Sequence, residues 1–393
     1  MLRFWESIRK HKDGRQSLYR ISVVILFWAL ADGIASFVFP VYLNQVLKDI
    51  RLVGLIFGSS SLFGIFFDFI LGCDQNGRSF KPYFFFSIIL ACITYVLCFK
   101  VNSGLRFLLI MALWGIYFDS LNFGIVDFLS NFTKKQEHAE SSGVIQMFYS
   151  LGYLIAPIVA GYMVLKNRSA MGAALFFMIL AGFAFVYSFG NKKIEPEPPE
   201  KRLSFLKEVK IWLRAGKMGV WALLGLFLLN IWDAVIWSMG PIFLLSDFGE
   251  KSAYVMACFV IPSVFLQGFT GRLADKKGKK EFLFIGLASA GFFLSIFGLG
   301  RSLILKAFFA LGSAIGASLV KPAADGLFID MIDGYKKQEE EVAGLRSAAH
   351  NLGYIIGPIL AGFLAKYMGM PNTFLIYGIV LVFGAGIIKI FWR

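Results

Sequence analysis

Long apolar runs separated by short polar loops set the pattern of this chain. Twelve runs are found, at about 21–45, 52–72, 82–100, 104–130, 142–165, 170–189, 218–246, 252–272, 281–299, 303–332, 342–366 and 372–392. As a helix, each is long enough to cross a hydrocarbon core of ~30 Å at 1.5 Å per residue. Two stretches differ. In residues 1–20, Phe4, Trp5 and Ile8 share a helical face with Arg3, Arg9 and Lys10 around it, which predicts an amphipathic helix in the membrane interface. Phe205, Leu206, Val209, Trp212 and Leu213 predict a second. Between the sixth and seventh runs, Glu195-Pro196-Glu197-Pro198-Pro199-Glu200 is charged and proline-rich, so residues 190–203 read as an extended linker.

The pattern repeats at an offset of 201 residues. Leu151-Gly152-Tyr153-Leu154-Ile155-Ala156-Pro157 and its continuation to Gly161 are echoed from Leu352-Gly353-Tyr354 through Pro358 to Gly362. Asp32 and Pro40 are echoed by Asp233 and Pro241, and Phe4 and Trp5 by Phe205 and Leu206. The expected organisation is a six-helix bundle over 1–189 with a leading interfacial helix, the linker 190–203, and a second such bundle over 204–393. An even number of spans per half makes the repeats parallel, related by an axis along the membrane normal.

Composition agrees. Of 393 residues 58% are hydrophobic and 16% charged, and the mean hydropathy is +0.69; soluble domains carry about 25% charged residues. The fold class is all-α membrane protein with twelve transmembrane helices in two pseudo-symmetric bundles. The net charge of +14 invites a nucleic-acid partner, but Lys and Arg sit mainly in short loops, so orientation explains them better. Loops on the side of the N-terminus hold 27 of them and the opposite loops 10. That asymmetry places both termini in the cytoplasm of a plasma membrane, the inner membrane in a bacterium. The N-terminus does not read as a cleaved signal. Cys73, Cys92, Cys98 and Cys258 lack ligand spacing, so neither a metal nor a cofactor is expected.

Ionisable residues inside the runs carry the functional signal, because a carboxylate at mid-bilayer is unfavourable by roughly 2.5–3.5 kcal/mol on insertion scales. Asp32 and Asp233 appear at equivalent places in the two halves. On helical spacing Asp32 shares a face with Trp28 and Ser36, Asp233 with Asn230 and Trp237, and Asp119 with Asn122. Lys321 and Asp325 form an i,i+4 pair that can neutralise itself, and Asp119 with Lys321 is an alternative structural bridge. Arg346 and His350 share a face of the eleventh run, and His350 titrates near neutrality, so it is a candidate proton relay.

Gly271-Arg272-Leu273-Ala274-Asp275-Lys276-Lys277-Gly278-Lys279-Lys280, between the eighth and ninth runs, resembles the loop signature of the major facilitator superfamily. Physically, Gly271 and Gly278 permit close packing and a tight turn, Asp275 can cap a neighbouring helix, and Lys279 belongs to a basic cluster that keeps the loop cytoplasmic. The first-half copy is degraded: Asp74, Gly77 and Arg78 remain, while Ile70 and Gln75 replace a glycine and a basic residue. The resemblance implies a contact of Asp74 with Arg346 closing the cytoplasmic side in an outward-facing state, with Asp68 a further partner for Arg346. An arginine that the family carries in the fourth span is absent, Met111 standing there. Gly152, Pro157 and Gly161, echoed by Gly353, Pro358 and Gly362, resemble a fifth-helix motif of the family's antiporters. The motif equally suits plain helix packing.

The resemblance further implies that spans one, four, seven and ten line a central cavity. Trp28, Asp32, Ser36, Asp119, Asn122, Asn230, Asp233, Trp237, Lys321 and Asp325 would then face the cargo. Acids, amides and aromatic surface suit amphipathic or cationic compounds. A carboxylate out of water holds its proton more readily than one in water, so Asp32 and Asp233 can load and release protons as access alternates. The expectation is a secondary transporter, proton-coupled (sodium being the other candidate ion), exporting small molecules as a monomer. Uptake or uniport of a metabolite such as a sugar or amino acid is the alternative, and a transport-inactive sensor or scaffold a third. No catalytic spacing or nucleotide loop points to an enzyme.

Overall fold

In the computed structural model the backbone is described for residues 2–73, 80–99, 101, 103–132, 138–163, 167–190, 205–332 and 339–392. Twelve α-helices follow in order: α1 Leu2–Leu47, α2 Ile50–Cys73, α3 Phe80–Cys98, α4 Gly104–Phe132, α5 His138–Met163, α6 Asn167–Phe189, α7 Phe205–Phe248, α8 Ser252–Lys277, α9 Lys279–Phe297, α10 Leu303–Ile332, α11 Glu339–Met368 and α12 Met370–Phe391. A 3-10 turn, Gly249–Lys251, joins α7 to α8. Among the described residues there is no strand. Each of the twelve predicted runs is a helix. The two amphipathic stretches are not separate elements: each continues without a break into the span that follows it. At 46 residues α1 is about 69 Å long.

Sharp reversals need little chain. Asp49 accepts the backbone N–H of Arg51 at 3.0 Å, an N-cap for α2, and also pairs with the Arg51 guanidinium at 2.7 Å. Those bonds hold the Asp49 carboxyl down at about 2. Gly278 joins α8 to α9 with a φ of 109°, a conformation that a side chain disfavours.

Packing divides the chain into two compact units, Met1–Val38 with Phe66–Glu200, and Phe39–Ile65 with Lys201–Arg393. In the first, α3 lies against α4 and α6. Phe80, Phe84, Ser87, Ile88, Ala91, Thr94, Tyr95 and Cys98 make its buried face, at helical spacing. Phe80 meets Phe128 and Phe189 edge-on at 5.2 and 5.3 Å, and Phe84 stacks on Phe185 at 5.3 Å. Each such pair adds about 0.5–1.5 kcal/mol beyond its buried area. The opposite faces remain apolar and open, with Phe85 on α3 and Phe183 on α6 exposed, as lipid-facing surface requires.

In the second unit Phe297 meets Phe259 and Phe374 edge-on at 5.2 and 5.1 Å, and glycines add close backbone contacts. A Cβ at Gly291 of α9 would stand 2.6 Å from the Gly378 carbonyl of α12, and one at Gly316 of α10 2.4 Å from the Ala290 amide of α9. Here α2 also touches α11: a Cβ at Gly54 would stand 2.2 Å from the Pro358 carbonyl. Small residues at these positions let backbones touch where no hydrophobic drive separates helix from lipid.

Candidate functional site

In the first unit the site is built by a glycine step between α1 and α5. Gly152 of α5 lies so close to α1 that an added Cβ would stand 2.7 Å from the Ala29 Cβ and 2.8 Å from the Leu26 carbonyl. Gly33 of α1 returns the contact: a Cβ there would stand 2.6 Å from the Ala156 Cβ. This approach brings Tyr153, the residue after Gly152, onto Asp32, three residues after Ala29. The Tyr153 hydroxyl donates to Oδ2 of Asp32, and the Tyr117 hydroxyl of α4 donates to Oδ1. Ser36 donates at 3.5 Å from the next turn of α1, and Trp114 adds a further donor. Asp32 is 1% exposed, and among the described residues no cation pairs with it.

Aromatic rings surround this carboxylate. Trp28 stacks on Tyr149 at 6.3 Å, Tyr149 on Tyr153 at 4.9 Å, and Trp114 on Tyr117 at 6.0 Å. The Trp28 indole donates to Ser87 at 3.1 Å, and Ser87 to the Tyr117 carbonyl at 2.7 Å, tying α1, α3 and α4 together. Thus α4 reaches Asp32 through Tyr117 and Trp114. Of the α4 residues singled out from sequence, Asp119 is half-buried and Asn122 exposed.

The second unit repeats the step between α7 and α11. A Cβ at Gly353 would stand 2.7 Å from the Asn230 Cβ, and one at Gly357 3.3 Å from the Ala234 Cβ. Tyr354, next to Gly353, donates to Oδ2 of Asp233, three residues after Asn230. Tyr153–Asp32 and Tyr354–Asp233 are therefore the same bond at the same sequence separation, 121 residues. A second rung lies one turn away, where His350 Nδ1 and Asn230 Oδ1 are 2.8 Å apart. The His350 and Tyr354 rings lie 4.7 Å apart. Trp237 is a further donor to Asp233, and the Lys321 charge on α10 lies within its electrostatic reach. Asp233, Lys321, His350 and Tyr354 are half-buried, unlike Asp32.

Asp325 corrects one expectation. It pairs with Arg346 of α11, at 2.8 Å from Nε and 3.0 Å from Nη2, rather than closing an i,i+4 pair with Lys321. A guanidinium fork fits a carboxylate better than a lysine on the same helix does. Asp74, Gly77 and Arg78 lie outside the described residues, as does the Asp68 side chain, and so does the Asp74–Arg346 contact. Asp275 does not cap α9, whose N-cap is Gly278 without a side-chain bond. It lies 3.4 Å from Lys279 Nζ, and Lys279 also holds Asp330 of α10 at 2.8 Å. A Cβ at Gly271 would stand at an ordinary 3.5 Å from Pro322. Pro157 and Pro358 lie inside α5 and α11, and Gly161 of α5 is buried. A Cβ at Gly362 would stand 2.7 Å from the Ile50 carbonyl. Among the described residues no three metal-ligating side chains converge.

Tyr117, Tyr153 and Tyr354 were not singled out from sequence. Tyr153 and Tyr354 had a signal, since both stand in the repeated glycine motif at the offset that relates the two acids. Tyr117 had none, because Ser318 stands at its equivalent.

A family model described as Major Facilitator Superfamily matches residues 21–257 and again 222–393. Multidrug resistance protein 2 of Bacillus subtilis (strain 168) is 31% identical over 127 residues, 32% of this chain and 31% of its own length. Quinolone resistance protein NorA of Staphylococcus aureus is 28% identical over 143 residues, 36% of each chain. The chain thus aligns with about a third of the length of these relatives. Among solved structures, a bacterial homologue of the human lysosomal transporter Spinster superposes with a TM-score of 0.75 at 13% identity, covering 95% of this chain and 96% of that one. The nucleoside transporter NupG superposes at 0.74 with 13% identity, covering 96% and 99%. At such identity the likeness is one of fold.

Proposed function

The chain belongs to the major facilitator superfamily and is a multi-pass membrane transporter rather than an enzyme; on that premise we propose that it is a proton-coupled exporter of small amphipathic or cationic organic compounds. The observation that carries this reading is the repeated carboxylate, Asp32 and Asp233, each inside an apolar helix and each held by a tyrosine from the helix it packs against. An acid held in apolar surroundings by hydroxyl donors can take and release a proton with small movements of its partners, which suits a proton carrier. The aromatic stack of Trp28, Tyr149 and Tyr153 beside Asp32 offers π faces of the kind that attract organic cations. The relatives named for multidrug and quinolone resistance support export.

In this proposal residues 1–189 and 204–393 are the two halves and 190–203 links them. Both termini face the cytoplasm, as the Lys and Arg bias supports, and a monomer is the working unit. The test is transport of tetraphenylphosphonium, an aromatic cation, in proteoliposomes under imposed pH gradients of either sign. Expected is antiport: uptake into vesicles driven by an acid interior and stopped when the gradient is dissipated. Asp32→Asn and Asp233→Asn should each lose most of the dependence on the gradient. Flux down the same direction as the proton would support uptake instead. Full retention of gradient dependence in both variants sinks the proposal.

A further inference from the structure

Each acid is tied by a tyrosine to a helix that packs closely on its own, Asp32 to α5 and Asp233 to α11. In both units the residue after a contact glycine is the tyrosine whose hydroxyl reaches the carboxylate, so the bond spans α1 to α5 and α7 to α11 beside a close glycine contact. We propose that Tyr153 and Tyr354 are positioning residues that report the protonation state of Asp32 and Asp233 to α5 and α11. This inference rests on the proton-coupled reading of the two acids.

The physical reason lies in what the hydroxyl meets. An ionised carboxylate accepts a charge-assisted hydrogen bond, roughly twice as strong as a neutral one. Once the acid takes a proton the charge assistance is lost, and the acid has a donor of its own to place. The bond between the helices therefore tightens when the proton leaves and slackens when it binds. Because glycine leaves no side chain between the backbones at that point, nothing else separates the helix pair there. Release of one strong bond acts directly on the contact, and α5 or α11 is free to shift against its partner.

The two clasps are unequal, which makes the proposal specific. Around Asp32 stand Tyr117 and Trp114 from α4, Ser36 on its own helix, Tyr153 from α5 with Tyr149 one turn before it, and Tyr95 of α3 at 3.4 Å from the Tyr117 hydroxyl. Around Asp233 stand Tyr354 and His350 from α11, Asn230 and Trp237 on its own helix, and Lys321 from α10, with the Asp325–Arg346 pair acting on Lys321. Asp32 keeps a second hydroxyl if Tyr153 is lost. Among the described residues Asp233 keeps the indole of Trp237 as a hydrogen-bond donor, beside the Lys321 charge, and no second hydroxyl. Loss of Tyr354 is therefore the larger perturbation.

The experiment uses the full chain in proteoliposomes, with tetraphenylphosphonium as the probe and initial rates taken across pH at a fixed gradient. Tyr354→Phe keeps the ring and removes the hydroxyl. It is expected to lower kcat by about tenfold or more, the worth of a hydrogen bond to a charged group, with KM within about twofold. The pH of half-maximal rate should move upward, since the ionised acid has lost a donor. Tyr153→Phe should move it in the same direction by less. A merely structural role scales the profile without moving it, and that result overturns the proposal, as does a rise in KM alone or wild-type behaviour. If Tyr354→Phe melts below the assay temperature, Tyr153→Phe decides, because Tyr117 and Ser36 still hold Asp32. The Asp→Asn variants separate the two readings. If they lose gradient dependence while the Tyr→Phe profiles stay unmoved, this inference fails alone; if they keep it, or if the wild type moves no probe, both fail.

Discussion

Lys306 is 1% exposed, and its ammonium lies 3.3 Å from the centre of the Phe243 ring and 3.0 Å from Asp247. From sequence it counts as one of the loop cations opposite the termini. In the structure it is a packing residue: its stem is enclosed by the α7–α10 contact, and Phe248 and Phe297 stand 5.6 and 5.4 Å from its charge. Aliphatic stems of lysine bury readily when the head finds a partner. Two variants separate packing from charge. Lys306→Ala removes the stem and is expected to destabilise the second unit by about 2–4 kcal/mol, in the range of other core truncations. Lys306→Met keeps the volume, and the Asp247 carboxylate it leaves behind is 39% exposed and can be hydrated, so less than about 1.5 kcal/mol is expected. Denaturation in detergent measures both; equal losses would mean that the charge, not the stem, holds the contact. Nothing in the neighbouring residues announced this burial, because Phe243 and Phe297 come from two other helices.

At the scale of the helix, small residues decide which side chains meet. Gly152 and Gly353 leave no room for a Cβ against Ala29 and Asn230, whereas Gly143 on α5 and Gly386 on α12 have open space around them. Gly152→Leu and Gly353→Leu are therefore expected to push α5 off α1 and α11 off α7, and to abolish proton-driven flux. Gly143→Ala and Gly386→Ala should transport at wild-type rates. Flux through proteoliposomes checks all four, and an active Gly353→Leu would show that the close approach is dispensable. Much of this was legible beforehand. Apolar run length gave twelve helices, and the offset of 201 residues related the two acids and the two glycine motifs. The polar partners were less legible. Helical spacing finds neighbours on one helix, so Ser36 and Trp237 were found beside their acids. Partners from other helices depend on packing, so Tyr117 was missed and Asp325 was paired with Lys321 instead of Arg346. The amphipathic starts of α1 and α7 misled for a different reason. A change of composition marks where a helix leaves lipid, and it need not mark where the helix ends.

At the scale of the whole molecule, the repeat and the charge bias make a joint demand on orientation. If six spans per half are related by an axis along the membrane normal, equivalent loops of the two halves must lie on one side of the membrane. In the second half this sets the α8–α9 turn, with Lys276 and Lys277 in the last turn of α8, on one side. The loop before α10, at Arg301, must lie opposite, because α9 is a single crossing of 19 residues. The Lys and Arg bias assigns the first of these sides to the cytoplasm. In a background without native cysteines, a cysteine placed at Lys277 should react with an impermeant maleimide only in inverted vesicles. One placed at Arg301 should react only in right-side-out cells. Labelling of both from the same side would mean that α9 does not cross, and the parallel repeat would fail with it. Labelling with the sides exchanged would leave the repeat intact and overturn only the cytoplasmic assignment of the termini; the direction of antiport would stand, because the proton gradient, and not the way round the protein sits, drives the cargo against the proton.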